Sequence, residues 1–137
     1  MKVRISRQVF ALAAAAALAA LLQACGNNSN PASPSPAPTP GEVGATITIT
    51  ADGVNPGSVQ IKPGQSVRFV NNDSRTHVPS SDPHPTHTDC PPINAVGTLA
   101  SGASGTTSAM TAIRSCGFHD HNDPGEDKLR GQIVVAQ

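Results

Sequence analysis

Hydrophobic patterning divides the chain into three parts. Val9 to Leu22 is an unbroken apolar run of 14 residues, mostly Ala and Leu. That is short for a membrane-spanning helix, which needs about 20 residues, and suits the core of a signal peptide. Between Gly26 and Gly44 almost nothing is apolar enough to bury, and Pro31, Pro34, Pro36, Pro38 and Pro40 stand among Ser, Ala, Thr and Asn. Such a segment cannot offset its ordering entropy and is expected to be a disordered linker. A period of two sets in after Ala45. Thr46-Ile47-Thr48-Ile49-Thr50 alternates strictly and predicts a strand. Ser58 to Ile61 and Ser66 to Asn71 read as further strands, with Val67 and Phe69 on one face of the second. Between them, Lys62-Pro63-Gly64-Gln65 carries Pro and Gly where a type II turn wants them. Thr106 to Arg114 and Gly131 to Ala136 are the remaining strand candidates, and no segment shows a capped helical period. The pattern predicts an all-β sandwich or barrel over residues 45–137.

One stretch of that domain does not alternate. Asn72 to Val96 holds Pro79, Pro83, Pro85, Pro91 and Pro92, and also His77, His84, His87 and Cys90. A connection near 25 residues is uncommon in a compact domain unless it has a function, and disorder alone would not require four potential metal ligands. All five histidines of the chain lie between His77 and His121.

The N-terminal signals change the meaning of the cysteine count. Lys2, Arg4 and Arg7 precede the apolar run, and Leu22-Gln23-Ala24-Cys25 follows it. This resembles a bacterial lipobox, which implies cleavage after residue 24 and acylation of Cys25. Residues 1–24 would then be the signal peptide, residues 25–44 the acylated Cys and linker, and residues 45–137 the folded domain. The linker would hold the domain about 30–50 Å from the lipid. The localisation expected is exported and lipid-anchored to a bacterial membrane, on the periplasmic or cell-surface side. Gly26 after the acylated Cys favours the outer membrane in a Gram-negative cell. Without residues 1–24 the chain has 6 Lys and Arg against 9 Asp and Glu, a net charge of −3. That balance and the absence of Trp and Tyr argue against a nucleic-acid partner.

Cys116-Gly117-Phe118-His119-Asp120-His121 is followed by Leu129-Arg130-Gly131-Gln132-Ile133-Val134, and Val67 to Asp73 leads to His77. This arrangement resembles the cupredoxins, the blue copper domains of the plastocyanin and azurin kind, over about Thr46 to Val135. The resemblance implies a small Greek-key β-sandwich, one copper ion and electron transfer through a type 1-like site. The implied metal ligands are His77, Cys116 and His119, with Leu129 at the axial position where the family usually has Met. A thiolate with two imidazoles is the donor set of electron-transfer copper.

Other arrangements remain open from the sequence. His84, His87 and Cys90 form an additional cluster, and His121 is an alternate to His119. If Cys25 is acylated, Cys90 and Cys116 are the two cysteines left, and an exported protein would normally pair them. A Cys90–Cys116 disulfide would leave a His-only site and favour a second function, binding and delivery of copper or another metal. Asp82, Asp89, Asp120 and Asp123 are candidates to orient imidazoles. Phe118 is either a collar over the metal or core. No nucleophile elbow or phosphate loop is present, so the domain is expected not to be an enzyme. It is expected to be a monomer whose partners are a redox protein and, through its lipid, a membrane.

Overall fold

The computed structural model describes residues 41–137. The signal peptide, the lipobox with Cys25 and most of the Pro-rich linker lie outside the described residues. The alternating segments form strands in two four-stranded sheets. The first contains β1 (Val43–Thr50), β2 (Gly53–Asn55), β4 (Ser66–Asn71) and β6 (Ser104–Thr106), in the order β2-β1-β4-β6. The second contains β3 (Ser58–Ile61), β5 (Pro79–Ser81), β7 (Arg114–Asp120) and β8 (Gly131–Val135), in the order β3-β8-β7-β5. Both sheets are mixed. β1 runs parallel to β4 and β3 parallel to β8, while the other neighbours are antiparallel. The turn at Lys62–Gln65 forms as expected. Gly64 has φ +92°, and the Gln65 amide donates to the Lys62 carbonyl at 3.1 Å.

Alternation sends one face of each sheet into a shared core. Ile47 and Ile49 of β1, Val67 and Phe69 of β4, Val59 and Ile61 of β3, and Ile133 and Val135 of β8 are all buried there. Phe69 and Phe118 meet edge to face with ring centroids 5.2 Å apart. With no Trp or Tyr in the chain, this one pair anchors a core otherwise made of aliphatic side chains and sulfur.

Two expectations change. The stretch from Asn72 to Val96 is not structureless, since it contains β5 and a 3-10 helix at Pro91–Val96 that buries Ile93 and Val96. The strand expected at Thr106–Arg114 is displaced. β6 ends at Thr106, and the next strand is Arg114–Asp120. Thr107 explains part of this. Its hydroxyl accepts from the Val67 amide at 3.0 Å, so a threonine that reads as β-forming instead ends the pairing with β4. The displacement places Cys116 to His119 inside a strand rather than in a loop after one.

Candidate metal centre

The register of β7 decides what its side chains can reach. Successive residues of a strand point to opposite faces. Cys116 and Phe118 join the buried core cluster, and Asp120 on the same face accepts from His77. Gly117 and His119 face the other way. A Cβ at Gly117 would lie against the Asp82 carboxylate, and His119 bonds to that same carboxylate, Nδ1 to Oδ1, at 2.7 Å. Cys116 and His119, three residues apart, are therefore on opposite faces. The Cys-x-x-His pair would converge on one ion only if the strand ended at the cysteine. Here it continues to pair with β5 as far as Asp120.

The expected set of His77, Cys116 and His119 is accordingly not brought together. Cys116 is bonded to Cys90, with Cα atoms 5.8 Å apart, so neither sulfur is a thiolate. His77 is 1% exposed and clamped between two carboxylates, Nδ1 to Asp120 Oδ2 at 2.6 Å and Nε2 to Asp73 Oδ2 at 3.0 Å. Both ring nitrogens are thus engaged. Its backbone exchanges two hydrogen bonds with Leu99, at 3.0 and 2.8 Å. Asn71 holds the approach to this clamp. Its side-chain amide donates to the Arg75 and Leu99 carbonyls, and its oxygen accepts from the Asp73 amide. Asn71 and Asp73, which lead to His77 in the sequence, together form a structural latch.

On the other face of β7 four imidazoles gather. Candidate ligand atoms of His84, His87 and His119 all lie within 4.8 Å of one another. His119 comes from β7, and the loop after β5 brings the other two over it. His121 completes the group. Its Nδ1 is 3.2 Å from His87 Nε2, and its ring is 5.2 Å from that of His84. The loop is closed by its own backbone, with the His87 amide donating to the Pro83 carbonyl and the Asp89 amide to the Asp82 carbonyl. His87 adopts φ +51°, a left-handed conformation uncommon outside glycine. Strained backbone of this kind concentrates at functional sites.

The donor set fits a metal ion. His119 Nε2 is fully buried and has no hydrogen-bond partner. Buried polar atoms are almost always satisfied, and each exception calls for an explanation such as an ion. Asp82 on the opposite ring nitrogen fixes the tautomer, leaving Nε2 with its lone pair free, as carboxylates do behind metal-bound histidines. The His87 pKa is lowered, first by burial and then by the neighbouring His119, His121 and His84 rings, a shift toward the neutral form that can coordinate. Three imidazole ligands suit copper and zinc alike.

The remaining candidates separate cleanly. Of the four aspartates only Asp82 backs a ligand of this cluster. Asp89 pairs with Arg114, Asp120 with His77, and Asp123 makes backbone bonds alone, its amide donating to the Asp120 carbonyl and its carbonyl accepting from the Glu126 amide. Phe118 is core, 1% exposed against Phe69. Leu129, the expected axial residue, is buried in the core cluster with Cys116 and Phe118, which face away from the four-histidine group. Leu129→Met should therefore leave the spectrum and potential of bound copper unchanged and cost less than about 1.5 kcal/mol of stability. A shift in the copper spectrum would put residue 129 back at the ion.

No family model and no curated protein matches the sequence. Solved structures do match in three dimensions. A purple cupredoxin from Nitrosopumilus maritimus aligns with TM-score 0.52 at 18% identity, covering 67% of this chain and 99% of that one. Oxidised plastocyanin from Dryopteris crassirhizoma gives 0.53 at 14%, over 66% and 99%. An oxidised amicyanin variant gives 0.53 at 14%, over 72% and 95%. With these likenesses and the two-sheet topology together, the domain has the cupredoxin fold.

Proposed function

We propose that the chain is an exported copper-binding protein. It holds one ion through His84, His87 and His119, with His121 as an additional donor, and passes that ion to a partner. The observation that carries this reading is the buried, unpartnered Nε2 of His119 within 4.8 Å of two other imidazole donors. Copper is favoured over zinc by the fold, since solved amicyanin structures of the same fold are Cu(I) forms. Delivery is favoured over long residence because His84 and His121 are exposed, which leaves half of the imidazoles accessible to an incoming ligand. A second reading, electron transfer, is supported by the oxidised and reduced forms recorded for fern plastocyanin. No catalytic step is proposed.

Copper(II) titration of the purified domain tests the site. The expected product is pale, with nitrogen-only coordination by spin resonance and no intense thiolate-to-copper band, because both sulfurs are in the disulfide. An intense blue or green colour would reject the His-only site. Copper exchange then separates the two readings. Transfer of the ion to a competing chelator within seconds supports delivery, whereas fast outer-sphere electron exchange with the ion retained supports a redox carrier.

The proposal includes a lipid at Cys25 on a bacterial membrane, with the Pro-rich segment as spacer and the domain monomeric. Cys25→Ser should move the protein from the membrane fraction to the soluble fraction, since one acylated residue supplies the anchoring area. Retention in the membrane fraction would overturn the lipobox reading.

A further inference from the structure

The loop and the strand that share the histidine cluster have mirrored spacings. His87-Thr88-Asp89-Cys90 lies on the loop and Cys116-Gly117-Phe118-His119 on β7, and the two cysteines are bonded to each other. Each arm of the site therefore has a covalent fixing point three residues from a cluster histidine. The other ties between the arms are weaker. The Asp82 amide donates to the Gly117 carbonyl at 3.1 Å, the Asp82 carboxylate bonds to His119 Nδ1 at 2.7 Å, Arg114 donates to the Asp89 carbonyl at 3.2 Å, and the Asp89–Arg114 ion pair is partly exposed, with side chains 37% and 44% accessible. Exposed pairs of this kind contribute little to stability. The arm they must hold includes the left-handed His87, a conformation that persists only where its surroundings over-determine it.

We propose that the Cys90–Cys116 disulfide is the positioning clamp of the metal centre, so that the thiol state of the chain sets how tightly the histidines hold their ion. This rests on the metal-binding reading above. A dithiol reductant would supply two electrons. Its two thiols become a disulfide, the Cys90–Cys116 bond breaks, and each cysteine sulfur takes up a proton. The released sulfurs do not replace the lost order, because Cys116 faces the core while His119 faces the loop. Reduction then leaves His84 and His87 on a loop tied down by hydrogen bonds and one exposed ion pair, and the metal leaves more readily.

Zinc(II) is the probe, since it neither oxidises thiols nor is reduced by them. Its affinity is measured by chelator competition for the oxidised protein, the phosphine-reduced protein and the thiol-free Cys90→Ala/Cys116→Ala variant. Amide resonances of β1 and β4 report whether each species is folded. At least tenfold weaker binding is expected in both altered species with β1 and β4 intact. Affinity within twofold of the oxidised protein, in a folded variant, would overturn the clamp while leaving the metal site standing. Oxidised protein that binds neither zinc(II) nor copper(II) would overturn the metal reading itself. If the variant does not fold, linkage in the wild-type chain decides. Saturating zinc should lower the midpoint potential of the disulfide by about 30 mV for each tenfold of coupling, and an unmoved potential refutes the clamp.

Discussion

His77→Ala should destabilise the metal-free domain by about 3–5 kcal/mol, the cost of breaking a buried ionic cluster by removing one member. A small domain has about 5–15 kcal/mol in total, so the variant would be marginal or unfolded. The geometry makes the loss large. His77 separates the Asp73 and Asp120 carboxylates, which are 4% and 5% exposed, and without the ring each loses its buried donor. The same clamp predicts acid sensitivity. The Asp73 carboxyl is held well below the usual carboxylate range, chiefly by its hydrogen bond to His77 and further by Arg75 and the Ser74 amide, with burial opposing. A group whose pKa is depressed on folding stabilises above its unfolded value, about 3.9, and that contribution is lost as pH falls below it. Urea midpoints of the wild type should begin to drop as pH falls below about 5 and keep dropping down through the depressed Asp73 value, and Asp73→Asn should flatten that dependence. A His77→Ala protein within 1 kcal/mol of wild type would show that the ring is not a structural member.

The strands were legible because their faces are asymmetric. Ile47 and Ile49, and Val67 and Phe69, alternate with polar residues, and each pair is buried as the period requires; Ile133 and Val135 are buried the same way on either side of the less buried Val134. β5 was not legible. Pro79-Ser80-Ser81 has no apolar alternation, and it is a strand because β7 supplies its pairing and Asn94 its Ser81 amide acceptor. The Cys-x-x-His pair misled for a related reason. Its spacing is informative only if the position of the strand end is known, and the Thr-rich segment before it looked more like strand than Cys116 to Asp120 did. The histidine loop stood out from composition alone, and two of its histidines do gather with His119. Which of its members converge with His119 depends on how the loop folds back over β7, a tertiary contact that no local spacing encodes.

His119→Ala should weaken metal binding by more than about 100-fold while changing the metal-free stability little. The first half follows from position. Loss of a residue that merely orients a ligand typically costs 10–100-fold in metal affinity, and loss of the ligand itself should exceed that. His119 is also the one cluster donor that is fully buried, so it contributes the atom least accessible to competing water. The second half follows from satisfaction. An unpartnered buried polar atom costs about 1–3 kcal/mol in the metal-free chain, and removing Nε2 relieves that cost. The relief offsets part of what is lost in packing and in the bond to the half-exposed Asp82. The signature is thus the reverse of that of His77→Ala, in which stability falls and the affinity of the folded fraction holds. Paired measurements, urea denaturation without metal and zinc(II) titration with a chelator, assign each histidine to one role. Equal affinity in His119→Ala and wild type would remove the centre from this face of β7.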